Sequence, residues 1–361
     1  MLHRLVVKIF LYRSAVSRLS APPIAPAPAV LTSLIQELDP ERRRYDQRAL
    51  LFGERYRSGF WMIYLLSAVA VLFAVLPLAL GWDDNRHILH PYLGIWALGE
   101  VLIISVVAAV HWIGHRRDWQ GEWLRARTTA ELIGYLPILA PLVDFRRGAE
   151  EADWYLRVFD PGQNLRGNRE VTTLCRRHEA ALRETLAAVW GDPQFVAEYA
   201  DWAASILESQ EHYHRSVALR QHVLRHRIHT VNIWLFGLTA FGALVHLILH
   251  SLYLSIVTTF FPALGASLHG ALAQSEAYRL EAASDRLAKD LRLAVARIRE
   301  AAGGPDPAAP GRAGGGGVAF VQDPAAVAQL VRGAVESALS LILEEHQDWH
   351  MLVRPHRLPL G

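Results

Sequence analysis

Formal charge is missing from three long stretches of this 361-residue chain. Gly59 to Trp82 holds no Asp, Glu, Lys or Arg, Pro91 to Gly114 holds only Glu100, and Ile228 to Ser275 runs 48 residues without any. One helix crosses about 30 Å of hydrocarbon with about 20 residues, so the last stretch suffices for two passes. Such runs exceed the 10 to 14 residues, roughly, that read as a buried helix of a water-soluble domain. Cysteine is nearly absent too: the single Cys175 excludes an intramolecular disulfide framework and suits a reducing compartment. Lysine occurs only as Lys8 and Lys289, leaving arginine to carry the positive charge; this reads as coding bias and implies no function.

Catalytic signatures are lacking as well. There is no G-x-x-x-x-G-K-[ST], G-x-G-x-x-G, H-E-x-x-H or G-x-S-x-G. Cys175 and His178, three apart on an expected helix, are a weak nucleophile and base, and a structural thiol is far commoner. Gly314 to Gly317 has no preceding strand and no following Lys, so it reads as part of a flexible linker from Ala302 to Val318. The expectation is a chain that is not an enzyme, takes no cofactor and no metal, and has no nucleic-acid partner.

What is present is an all-α membrane protein: four transmembrane helices in two hairpins, with cytoplasmic helical stalks and a bundle. Apolar residues make up 52% and charged ones 20%, so the spans account for the apolar excess. Orientation follows from the arginines, since basic flanks resist translocation. Arg42, Arg43, Arg44, Arg48, Arg55 and Arg57 precede the first span, and Arg116, Arg117, Arg125 and Arg127 follow the second. Arg215, Arg220, Arg225 and Arg227 precede the third, and Arg279, Arg286, Lys289, Arg292, Arg297 and Arg299 follow the fourth. Both termini are therefore expected in the cytoplasm of a multi-pass inner-membrane protein, in contact with membrane lipids.

The chain divides into residues 1–30, a basic segment and a proline-alanine linker left out of the fold; 31–135, the first hairpin with its stalks; and 136–200, a cytoplasmic helical region. Residues 201–300 form the second hairpin with stalks, 301–318 a linker, and 319–361 a terminal helix and tail. That helix starts at Asp323 and Pro324, an N-cap and first-turn proline, and is expected to pack back on the bundle. Small residues on the spans and repeated apolar stripes on the stalks point to a homo-oligomer.

Three intramembrane groups are candidates for function. Glu100 is the only acid inside a span, and burial of the related Asp at a helix centre costs about 2.5 to 3.5 kcal/mol. It either faces a bundle interior or watery path, or stays protonated and bonded to a neighbour such as Ser105 of a second copy or His246. His246 and His250, one turn apart, with His269 on the next span, form either a proton or metal relay or a structural pair. Outside the spans, His222, His226 and His229 share a stripe with Arg225 and Arg227, which favours an anionic-lipid contact over a metal. Trp112, Trp119 and Trp123 are expected on one face of a continuous stalk as the second span leaves the membrane.

Trp123, Arg127, Ala130 and Glu131, a W-x3-R-x2-A-E pattern directly after a two-span hairpin, resemble the SLATT family, the SMODS- and SLOG-associating two-transmembrane effectors of bacterial conflict systems. Gln210, Tyr213 and His214 before the second hairpin, then Pro262, Ala266, Gln274, Glu276 and Arg279 through its exit, resemble the C-terminal half of the longer members with two hairpins. The resemblance covers residues 38 to 353 or so. It implies an effector that forms an oligomeric pore or perturbs the membrane in a nucleotide-signalled antiphage response, with the signal made or sensed by a separate nucleotide synthase or SLOG-type protein. The residues themselves leave two other classes open, a channel or transporter of unknown substrate and a non-catalytic membrane anchor or scaffold. Arg127 and Glu131 equally fit a stalk salt bridge.

Overall fold

The structure, a computed structural model, describes residues 2–11, 22–82, 84–142, 173–174, 177, 189–303 and 323–353, with side chains up to 342. Cys175, His178, most of 136–200 and nearly all of the 301–318 linker lie outside the described residues. Among the described residues there is no strand. The helices are α1 (Leu2–Phe10), α2 (Ala29–Ala79), α3 (Leu93–Arg116), α4 (Trp119–Leu139), α5 (Pro193–Leu249), α6 (Leu254–Gln274), α7 (Ala277–Ala301) and α8 (Pro324–Val353).

Two outgoing helices dominate, α2 with 51 residues and α5 with 57. At 1.5 Å per residue they run about 75 to 85 Å, far longer than a bilayer is thick, so each is long enough to hold a span and a stalk in one rod. α2 stops where Gly81 turns to a φ of +67°, which lets Trp82 N–H donate to the Pro77 carbonyl at 2.9 Å. α5 stops at His250, which takes a left-handed φ of 49°. Tyr56 bonds Gln274 while Tyr64 packs on Gly270, so α2 and α6 run antiparallel and both hairpin turns lie at one end. The opposite, arginine-rich end is the charged end.

Both return paths break at a single left-handed residue that is not glycine. α3 ends at Arg116, Asp118 takes φ 44°, and its carboxylate accepts from Gly121 N–H at 3.2 Å to start α4. α6 ends at Gln274, and Glu276 takes φ 53° to start α7. Each such residue costs about 1 to 2 kcal/mol of backbone energy, which tertiary packing must offset. The expected continuous stalk after the second span is therefore corrected: Trp112 on α3 is exposed while Trp123 on α4 is buried, because the joint re-aims the helix.

The two halves thus share a plan of long rod, turn, short span, left-handed joint and second helix. They meet along α2 and α6, where a Cβ at Gly270 would collide with the Tyr64 ring. The core at the charged end gathers Leu31, Leu34 and Leu38 of α2, Leu132 and Leu136 of α4, Tyr199 and Leu207 of α5, Leu291 and Ile298 of α7, and Val331 and Val335 of α8. Donors from distant elements finish the last carbonyls of the first half: Tyr199 OH to Ile138, Trp190 Nε1 to Pro141 and Arg332 Nη2 to Leu142, each at 2.6 Å.

Five segments among the described residues are long and apolar enough to cross a membrane, one more than the four expected spans: Ala29–Ala79, His90–Arg116, Pro193–Leu249, Leu254–Ala301 and Pro324–Ile342. In the fifth, Val331, Val335 and Ala338 are fully buried against the charged-end core, so its apolar stripe is consumed by the bundle. The described residues before α2, 2–11 and 22–28, pack on the other helices. Val6 is buried, Arg4 pairs with Glu54, Arg227 Nη1 donates to the Phe10 carbonyl at 2.8 Å, and Ala25 N–H donates to Ser205 Oγ at 2.9 Å.

A candidate ligand cavity at the helix joints

A cavity of about 190 Å³ lies between the two halves, against the joint at Glu276 and the first turns of α4 that follow the joint at Asp118. It follows from the spacing on α4, where Trp123, Arg127 and Glu131 recur every four residues and so share one face. Arg127 reaches across to α5, where its Nη2 donates to Tyr213 OH at 3.1 Å, and its Nε pairs with Glu131 at 2.8 Å. Trp123 is stacked on Tyr56 at 5.9 Å and also lies 5.1 Å from the Arg57 guanidinium. Tyr56 in turn accepts from Gln274 Nε2 at 3.1 Å. α1 closes one side with His3 and Val7, and Ser275 and Glu276 of the second joint line another.

The electrostatics centre on Arg57. Burial, then the positive charges of Arg127 and Arg220, push its pKa below the usual guanidinium value. Its Nε is buried without a hydrogen-bonding partner among the described residues. The same holds for Trp61 Nε1, Gln221 Oε1 and His3 Nδ1, all in residues lining this cavity. Native interiors leave few such atoms, and several around one cavity describe a polar space built for an occupant. His3 is lowered to about 4, chiefly by burial and then by Arg57. Burial also raises Tyr56, so the phenol stays neutral.

Eight motif residues from three separate stretches line this cavity: Trp123, Arg127 and Glu131 from α4, Gln210, Tyr213 and His214 from α5, and Gln274 and Glu276 at the second joint. Ala130 is buried behind the α4 face, Pro262 and Ala266 are exposed on α6, and Arg279 pairs with Glu276 at 3.6 Å. Arg57, Tyr56, Trp61, His3, Arg220 and Gln221 were not singled out as site residues by sequence. Arg57 and Tyr56 had one legible signal, their place just before the first charge-free run.

The intramembrane candidates lie elsewhere. Glu100 sits part-buried on α3, next to the Gly99 that packs on Phe73, with no hydrogen bond among the described residues to Ser105 or His246. Ser105 Oγ instead donates to the Val101 carbonyl at 2.7 Å. His246 and His250 do not form a relay pair: His246 Nδ1 lies 2.8 Å from the Ser251 carbonyl, while His250 is the exposed left-handed cap that ends the helix. His222 Nδ1 and Arg225 Nε both engage Glu281 of α7, at 2.8 and 2.9 Å, which ties α5 to α7. No group of three metal-capable residues occurs among the described residues.

Helices and cavity together define a multi-pass, all-helical membrane protein with a polar cavity at the charged end of its two halves. Comparison with protein-family models, curated proteins and solved structures returns no match.

Proposed function

We propose that the protein is a ligand-controlled membrane effector, with four spans in two hairpins of a bacterial inner membrane and both termini and the charged end in the cytoplasm. Occupancy of the cavity resets the joints at Asp118 and Glu276. The short spans then tilt, and a homo-oligomer opens a path through or otherwise perturbs the bilayer. The resemblance to the SLATT family supports placing this activity in a nucleotide-signalled conflict system, with the signal supplied by a separate protein. One observation carries the reading: residues of the resembling motifs from three distant stretches converge on one cavity, which touches the joint at Glu276 directly and the joint at Asp118 through α4.

The test is controlled expression alongside the neighbouring genes with a membrane-potential dye. Wild type collapses the potential once the signal is present, and Trp123→Ala and Arg127→Gln blunt the collapse at equal membrane abundance. If the wild type never depolarises the cells, the effector reading fails and a passive anchor or scaffold takes its place. If it depolarises and both variants match it, the cavity is not its control site.

A further inference from the structure

Two buried donors in this cavity, Arg57 Nε–H and Trp61 Nε1–H, have no acceptor among the described residues. The acids that line it are engaged: Glu131 pairs with Arg127 at 2.8 Å, and Glu276 pairs with Arg279 at 3.6 Å. Glu54, the nearest other acid to Arg57, is held by Arg4. Arg57 therefore has the Trp123 ring at 5.1 Å and only the longer-range charge of Glu54, with no ion pair among the described residues, while Arg220, exposed and also lining the cavity, likewise has none. An acceptor-rich anion would satisfy both donors and both cations at once.

Size and shape narrow the class. Two of the aromatic rings that could stack on a planar ligand already have partners, since Trp123 packs with Tyr56 and Arg57, and Tyr213 lies 5.9 Å from the Arg127 guanidinium. About 190 Å³ is only slightly more than the roughly 150 Å³ apolar cavity that accepts one benzene. That volume admits a tetrahedral oxyanion with a short polar substituent and excludes a dinucleotide unless α1 withdraws. Gln221 Oε1 asks for a donor on the same occupant, which a hydroxyl on that substituent supplies.

We infer that the cavity is a receptor for a phosphate group, either of a small soluble phosphate ester or of an anionic lipid headgroup, with Arg57 and Arg220 as its anchors. This names the occupant of the control site proposed above and rests on that reading for its consequence, though not for the binding itself. Arg57 stands two residues before the first charge-free run, so a lipid phosphate at the membrane surface and a soluble ester are both within its reach.

The experiment is thermal melting and calorimetric titration of the full chain in nanodiscs. One arm adds inorganic phosphate or glycerol phosphate to phosphatidylcholine discs, with chloride at matched ionic strength as control. The other compares phosphatidic acid discs with phosphatidylcholine discs. Wild type melts higher with phosphate in at least one arm, and which arm responds identifies the source. Arg57→Gln weakens binding by about tenfold or more, the loss of a charge-assisted bidentate contact. Its melting temperature without phosphate does not fall below that of the wild type, because the replaced cation had no ion pair to lose. No response in either arm, or an equal response in Arg57→Gln, overturns the inference and leaves water as the occupant. Depolarisation is not read in this experiment, so a chain that binds phosphate without depolarising cells refutes the effector reading alone.

Discussion

His3 is held as a neutral imidazole by its burial against α2, with Arg57 and Arg220 opposing its protonation and Glu54 favouring it. Its docked pKa of about 4 lies below the ordinary value of 6.5, so an undocked α1 takes up a proton before a docked one does. The contribution to docking is whole above about pH 6.5 and is lost as the pH falls towards 4. A single cysteine at Val6, in a Cys175→Ser background, is therefore expected to resist maleimide at pH 7.5 and to become reactive after brief exposure to pH 4.5 and return to labelling pH with a trapping reagent. Equal protection at both values would refute this switch. Residue chemistry was partly legible in sequence. Trp123, Arg127 and Glu131 announce themselves by four-residue spacing, whereas Arg57 reads as one more flanking charge, because isolation from carboxylates is a property of packing and not of composition.

At the level of elements, the charge-free runs made the hairpins plain, and the joints were hidden. Asp118 and Glu276 are ordinary helix-surface residues by type, and neither carries the glycine signal that usually marks a left-handed turn. The docking of α1 was hidden for another reason: a short amphipathic helix with His3, Arg4 and Lys8 fits a membrane surface as well as a protein groove, and only α2 and α5 decide between them. The seam between the halves is testable at Gly270. Gly270→Ala drives a methyl into the Tyr64 ring and is expected to cost about 1 to 3 kcal/mol, read as a lower melting temperature in detergent. Tyr64→Leu in the same chain should recover most of that loss. An alanine variant that melts like the wild type would mean that α2 and α6 are not held in this register.

For the whole molecule, five segments satisfy the length and apolarity of a span, while the burial of Val331 and Val335 draws the last into the bundle. Single cysteines separate the possibilities in intact spheroplasts. Asn85, in the first hairpin turn, is expected to react with an impermeant maleimide, and Leu330, exposed on α8, only after lysis. Labelling of position 330 from outside would overturn the four-span arrangement.

The route by which the last carbonyls of the first half are satisfied also dictates an order of birth. Leu142 waits for Arg332, and Leu31 and Leu34 share their core with Val331 and Val335, near the opposite end of the chain. While the ribosome is still making the second hairpin, the first can enter the bilayer, but its bundle stays open with apolar stripes and polar groups bare to water. Closure must await the codons of α8. A message truncated before residue 331 would accordingly leave inserted hairpins with an unfinished bundle, a substrate for membrane quality-control proteases rather than a smaller working protein.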